Sequence, residues 1–142
     1  MTERREGIVI VVARAGRFLM IRRAAHIFAG GAWCFVGGGI EPREDQALAA
    51  VREFQEEVGG RIRPIRKIWD YLRPDGLLLL HWWQCELLEG ELVPNPAEVA
   101  EIRWCSPVEV LALPGLLESN RIFMQNIDQL LPEADPESPG QS

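Results

Sequence analysis

The stretch Gly37–Gly60, GGGIEPREDQALAAVREFQEEVGG, limits what this chain can fold into more than any other. Three glycines lead through a carboxylate-rich turn into an amphipathic segment that ends at a second glycine pair. At about 100° per residue, Ala47, Val51, Phe54 and Val58 fall within roughly 60° of one another, which predicts a core-facing helical stripe. Glu53, Glu56 and Glu57 fall within about 100° on a different face. Spaced at i, i+3 and i+4, they are neighbours on the helix surface. The helix is predicted from about Asp45 to Val58, with Glu44 and Asp45 at its positive end and Gly59 as its stop.

Three adjacent carboxylates repel, and they lie near the negative end of the helix dipole. Arg52 can pair with Glu56 one turn on, but one cation does not balance three acids. A divalent cation would. An oxygen-only donor set without His or Cys suits a hard ion, Mg²⁺ or Mn²⁺, better than zinc. A solvated acidic face is the other reading of such a cluster, and the commoner one. Spacing decides between them. Gly38, five residues, Glu44, seven residues, then Arg52-Glu53-Phe54-Gln55-Glu56-Glu57-Val58-Gly59 resembles the Nudix box, G-x5-E-x7-R-E-U-x-E-E-x-G-U. At about a tenth per position, seven fixed residue types would match by chance roughly once in ten million starts. Two positions depart from the family pattern: the last U is Gly60, and Val36 stands where W-x-x-P-G-G has proline.

Length, 142 residues, fits one domain with its own core, expected over residues 1–131. Hydrophobic content of 47% and charged content of 25% are those of a soluble globular protein. A net charge of −6 argues against a broad surface for polymeric nucleic acid, while leaving room for a nucleotide beside a metal. Cys34, Cys85 and Cys105 are odd in number and form no C-x-x-C, which predicts buried, reduced thiols. Neither a signal peptide nor a membrane-spanning run is visible, so the cytoplasm is expected.

In chain order, Ile8–Ala13 reads as a buried strand, and Arg14–Arg17 as a turn into the hairpin partner Phe18–Arg22. Arg22 and Arg23 close that strand, either as a solvated end or with one of them holding a phosphate. Ala24–Ala32 is a loop carrying His26, and Trp33–Val36 a short strand feeding a glycine turn. Arg61–Leu72 has strand character, and Ile65–Leu72 and Leu77–Leu87 predict a hairpin around Arg73-Pro74-Asp75-Gly76, with Pro64 marking an edge or a strand start. Trp82 and Trp83 should point to opposite faces. Glu89-Gly90-Glu91 is a turn, and a loop from Pro94 carries Glu98 and Glu101 to a strand at Ile102–Trp104. Ser106-Pro107-Val108-Glu109 is a capping box opening a short helix to about Leu113. Ser119 or Asn120 is expected to cap a last helix through Leu131, and residues 132–142 to be a disordered tail.

The family resemblance implies an α/β fold, a mixed-sheet α/β/α sandwich, and hydrolysis of a diphosphate linkage in a nucleoside diphosphate derivative. It implies Glu56 and Glu57 as principal Mg²⁺ ligands (Mn²⁺ as an alternative) and Glu53 as third ligand or general base. Arg52 would orient these carboxylates, the backbone at Gly38 or Gly39 would join the metal shell, and Glu44 would support the helix start. Glu41, and Glu98 or Glu101, are further candidates for metal binding or water activation. The small size favours a nucleoside triphosphate, with a nucleotide sugar such as ADP-ribose as the other substrate class. Pro74 lies near the spacing seen in family members acting on ADP-ribose, but Asp75-Gly76 explains it as a turn residue. The competing classes are a nucleotide-binding module without turnover and an isoprenoid-diphosphate isomerase. The second needs acid and thiol positions that the three cysteines do not supply. Homodimers are common in the family.

Overall fold

A computed structural model describes residues 3–89 and 91–131. The turn expected at Gly90 and the tail expected at 132–142 lie outside these. Six strands, β1 (Arg5–Arg14), β2 (Arg17–Arg23), β3 (Trp33–Gly39), β4 (Arg61–Leu72), β5 (Leu78–Glu89) and β6 (Val99–Cys105), form one sheet in the order β4-β5-β1-β3-β2-β6. Only β1 and β5 run parallel among the paired strands. The β1–β2 turn has Ala15 at φ 53 and Gly16 at φ 76, the two positive values that a two-residue type I′ turn requires. Beyond Ala13 and Phe18 the two strands part and β3 enters between them, with Val36 opposite Ile10 and Phe35 opposite Met20.

The unbroken apolar run of β1 is explained by cover on both faces. Ile8, Ile10 and Val12 pack with Cys34, Val36 and the helix α1 (Gln46–Val58). Val9 and Val11 pack on the other side with Phe35, Trp82 and Phe123, beneath α2 (Pro107–Leu111), α3 (Glu118–Gln125) and α4 (Ile127–Leu130). This is the expected mixed-sheet α/β/α sandwich. The two tryptophans do face opposite ways: Trp82 stacks on Phe123 at 4.6 Å, while the half-buried Trp83 donates to Gln46 Oε1 at 2.9 Å. All three cysteines are buried and free. Pro64 lies on β4, at the sheet edge, where a missing N–H costs least. No helix among the described residues is long and apolar enough to cross a membrane.

Helix boundaries follow local chemistry. Asp45 stands one residue outside α1 as its N-cap, accepting from Ala47 N at 3.1 Å, and Gly59 at φ 71 ends the helix. The capping box at Ser106 forms as predicted, but α2 stops at Leu111 instead of Leu113. The last helix differs more. Leu117 is the N-cap without a side-chain bond, and Ser119 and Asn120 lie buried inside the first turn of α3. The carboxamide Oδ1 of Asn120 accepts from Phe35 N of β3 at 2.8 Å, so it serves a strand and not its own helix. The helix then breaks at Asn126, whose Nδ2 donates to Ile122 O at 2.8 Å, and α4 follows.

Candidate active site

The glycines are not a turn. β3 continues through Gly37, Gly38 and Gly39, which pair with Val9, Ile8 and Gly7 of β1. None of the three has a positive φ, so their reason is room. A Cβ on Gly38 would collide with the Glu53 carboxylate, and one on Gly37 with the carbonyl of Ile8. Gly38 therefore admits a carboxylate from α1 against the sheet. The Gly60 departure has a matching cause: Leu92 and the ring of Phe54 fill the volume that a side chain there would take.

The buried arc of α1 is turned by about 80° from the predicted stripe. Ala49, Ala50, Glu53, Phe54, Glu57 and Val58 are buried, while Ala47 and Val51 are half-buried. The small pair Ala49 and Ala50 lets the helix lie close to the sheet on that side. Rotation carries Glu53 and Glu57 inward, to 8% and 3% exposure. Glu56 stays outside, its side chain 53% exposed.

Arg52 organises the cluster. Its Nε donates to Glu44 Oε2 at 2.7 Å and its Nη2 to Glu44 Oε1 at 2.8 Å and to Gly39 O at 2.9 Å. Nη1 reaches Glu53 Oε1 at 2.8 Å and Glu56 Oε2 at 3.2 Å. These bonds hold the Glu44 carboxyl down at about 2, the guanidinium first and the Glu41 N–H next. The guanidinium is itself pushed above its ordinary range by Glu44 and Glu53.

Glu53, Glu57 and Glu98 each place a carboxylate oxygen within 4.8 Å of the others. Burial pushes Glu57 far above the usual carboxylate range, and its hydrogen bond and repulsion with Glu53 add to this; Arg23 opposes it. Such a group holds a proton until a cation replaces it. Glu98 arrives from the loop after β5 because that loop is tied to the end of α1. Val93 N donates to Val58 O at 2.8 Å, Asn95 N to Glu57 O at 2.9 Å, and Asn95 Nδ2 to Glu56 O at 3.2 Å. Glu98 O in turn accepts from Ala24 N at 2.9 Å. Glu101, the alternative, lies three residues on in β6 and pairs with Arg22 Nε at 3.3 Å and Arg103 Nη2 at 2.7 Å. Sequence spacing offered both acids; the fold brings one to the cluster.

A cavity of about 720 Å³ opens over Gly37–Gly39, walled by β1, the loop carrying Phe28, and the turn Glu41–Glu44. Of the Arg22–Arg23 pair, Arg23 lines it, with Nε donating to Phe28 O at 2.8 Å. Arg22 points to Glu101 instead. His26 binds Ala97 O at 2.9 Å, a tie between the two loops that flank the acids. The donor set fits a hard divalent cation: three oxygens converge, two of them buried, with less positive charge than they need.

Comparison with known proteins places the chain in one family. The family model for the NUDIX domain matches residues 2–127. The CTP pyrophosphohydrolase of Escherichia coli (strain K12) is 32% identical over 111 residues, 77% of this chain and 81% of that protein. The NAD-capped RNA hydrolase NudC of Stutzerimonas stutzeri (strain A1501) is 29% identical over 134 residues, 94% of this chain. This chain spans about half of that relative, 48% of its length. The solution structure of the E. coli ORF135 protein superposes with a TM-score of 0.74 at 27% identity, covering 96% of each chain. The matched span, the seven fixed residues of the box and the sandwich around them make this chain a member of the Nudix hydrolase family.

Proposed function

We propose that the protein is a Mg²⁺-dependent pyrophosphohydrolase that cleaves a diphosphate linkage in a nucleoside triphosphate, with nucleotide sugars such as ADP-ribose as the other substrate class. The observation that carries this is the convergence of Glu53, Glu57 and Glu98, with Glu53 packed against Gly38, a residue that lines the cavity. The E. coli relative, matched over most of its length, favours the triphosphate. Three buried free thiols suit the reducing cytoplasm.

Glu53, Glu57 and Glu98 would hold the cation, with the Gly38 backbone beside them and Glu56 adding a solvent-side oxygen. The cation would neutralise phosphate charge and lower the pKa of water at the phosphorus. Arg52 fixes the rotamers of Glu53 and Glu56 through one guanidinium and, by its bond to Gly39 O, locks helix to strand. Arg23 takes the phosphate-binding role read for the Arg pair, since it is the member that lines the cavity. Water attacks one phosphorus, its proton passes to a carboxylate, and the bridging oxygen leaves with the other phosphate. Glu98, exposed where Glu53 and Glu57 are buried, is the acid open to receive that proton.

Product analysis on a panel of nucleoside triphosphates and ADP-ribose tests this, with and without Mg²⁺, for wild type, Glu57→Gln and Glu98→Gln. Cleavage that needs Mg²⁺ and fails in both variants supports the reading. Absence of turnover across the panel, with nucleotide still raising thermal stability, would move the protein to the binding-module class.

A further inference from the structure

We propose that Arg43 is a substrate-binding residue that takes the terminal phosphate of a nucleoside triphosphate at the cavity wall beyond Gly39; this rests on the pyrophosphohydrolase reading. Arg43 has φ 65, in the left-handed region where a Cβ is disfavoured and glycine is the strain-free residue. Its neighbours impose that backbone. Ile40 N donates to Glu6 O at 3.0 Å, Glu44 N to Glu41 O at 3.0 Å, and Glu41 N to Glu44 Oε1 at 3.0 Å, while Arg52 grips the Glu44 carboxylate. Positive φ alone proves little, since Ala15 and Ala29 share it. Arg43 differs in carrying a long cation into the cavity wall.

That cation has no hydrogen-bond or ion-pair partner among the described residues. Arg4, Arg23 and Arg73 of the same wall are engaged, with Gly76 O at 3.4 Å, Phe28 O and Asp75, while the Arg5 side chain is also without a partner among the described residues but sits on an unstrained strand. A strained backbone that presents an unpaired guanidinium to a cavity points to a ligand. Position names the ligand. β3 lines the cavity from Cys34 to Gly39, with Phe28 and Leu117 near its start and Arg43 past its end. A nucleobase against Phe28 and a linkage at Gly38 would send the outermost phosphate towards Arg43. A guanidinium is matched to a dianionic terminal phosphate and poorly to a second sugar.

The test measures kcat and KM for CTP and for ADP-ribose with wild type, Arg43→Gly and Arg43→Lys. Alongside it, tripolyphosphate and pyrophosphate are titrated in the presence of Mg²⁺. Arg43→Gly should raise KM for CTP about tenfold or more, with kcat and the ADP-ribose KM held within about twofold. It should weaken tripolyphosphate and spare pyrophosphate, with Arg43→Lys between, and raise the thermal midpoint by about 2–4 °C through relief of strain. Equal effects on both substrates, no effect on either, or unchanged tripolyphosphate binding would overturn the proposal. A wild type that hydrolyses neither substrate defeats the hydrolase reading instead, and the tripolyphosphate titration then decides Arg43 by itself.

Discussion

Charged side chains gather in two places, on the β4–β5 edge and at the end of α1, and they do opposite things. On the edge, Arg61 pairs with Glu89 and Arg63 with Glu86 across the strands, with Lys67–Asp70 and Arg73–Asp75 further along. Cation meets acid one to one, and the cross-strand pairs are half-exposed or more, at 62%/68% and 62%/50%. Water screens such pairs, so they contribute little stability and chiefly discourage edge-to-edge association. At α1, the side chains of Arg52, Glu44 and Glu53 are 26%, 15% and 10% exposed, and the acids outnumber the cations. Balanced charge in water gives solubility. Unbalanced charge under cover is costly to keep, and it persists where a ligand completes it.

Substitutions should separate the two regions by size of effect. Glu57→Gln removes the carboxylate that a bound cation would draw from Glu57 and should lower kcat on the order of 10³-fold, the scale of several kcal/mol of cation-derived stabilisation. The same variant should be about as stable as wild type without metal, because Gln has the size and neutrality of the protonated acid, and should lose the stabilisation that Mg²⁺ gives; paired thermal melts check this. Arg52→Ala leaves Glu53 and Glu44 without their cation. Chemical denaturation should show a loss of about 2–3 kcal/mol, below that of a fully buried network because Arg52 is partly exposed. Gly38→Ala forces a methyl onto the Glu53 carboxylate and should cost about 1–3 kcal/mol, with activity falling further than stability does.

Glu44 provides the pH dependence. Its folded pKa is depressed, so its contribution is present above the unfolded carboxylate value and is lost as pH falls from about 4.5 towards about 2. Acid titration of stability should therefore be shallower for Glu44→Gln over that window. At the edge, Arg63→Ala should change stability by less than about 1 kcal/mol and leave activity alone. A larger loss there would break the contrast between the two regions.

How much of this was legible in the sequence depended on whether the cause was local. The bounds of α1 were readable from Asp45 and Gly59, and the start of α2 from Ser106 and Glu109, because caps act within one turn. The hairpins followed from Ala15-Gly16 and Asp75-Gly76 for the same reason. The rotation of α1 was not readable. Periodicity ranks hydrophobicity and so selected Val51 over Ala49, whereas close approach to the sheet favoured the smaller side chain, with Gly38 making room for Glu53. Glu98 and Glu101 were inseparable by spacing, since what selects Glu98 is the bonding of Asn95 to the end of α1. The bond between Asn120 of α3 and Phe35 of β3 spans 85 positions and leaves no local trace. The cause of Gly60 is equally distant in the chain, since Leu92 fills the space of a side chain there.

The central claim is that Glu98, with Glu53 and Glu57, forms the cation site, and that Glu101 does not. Calorimetric titration of Mn²⁺ into wild type, Glu98→Gln and Glu101→Gln tests it without relying on turnover. The structure predicts affinity at least about tenfold weaker for Glu98→Gln and unchanged for Glu101→Gln. Unchanged affinity in Glu98→Gln, or a loss confined to Glu101→Gln, would contradict it.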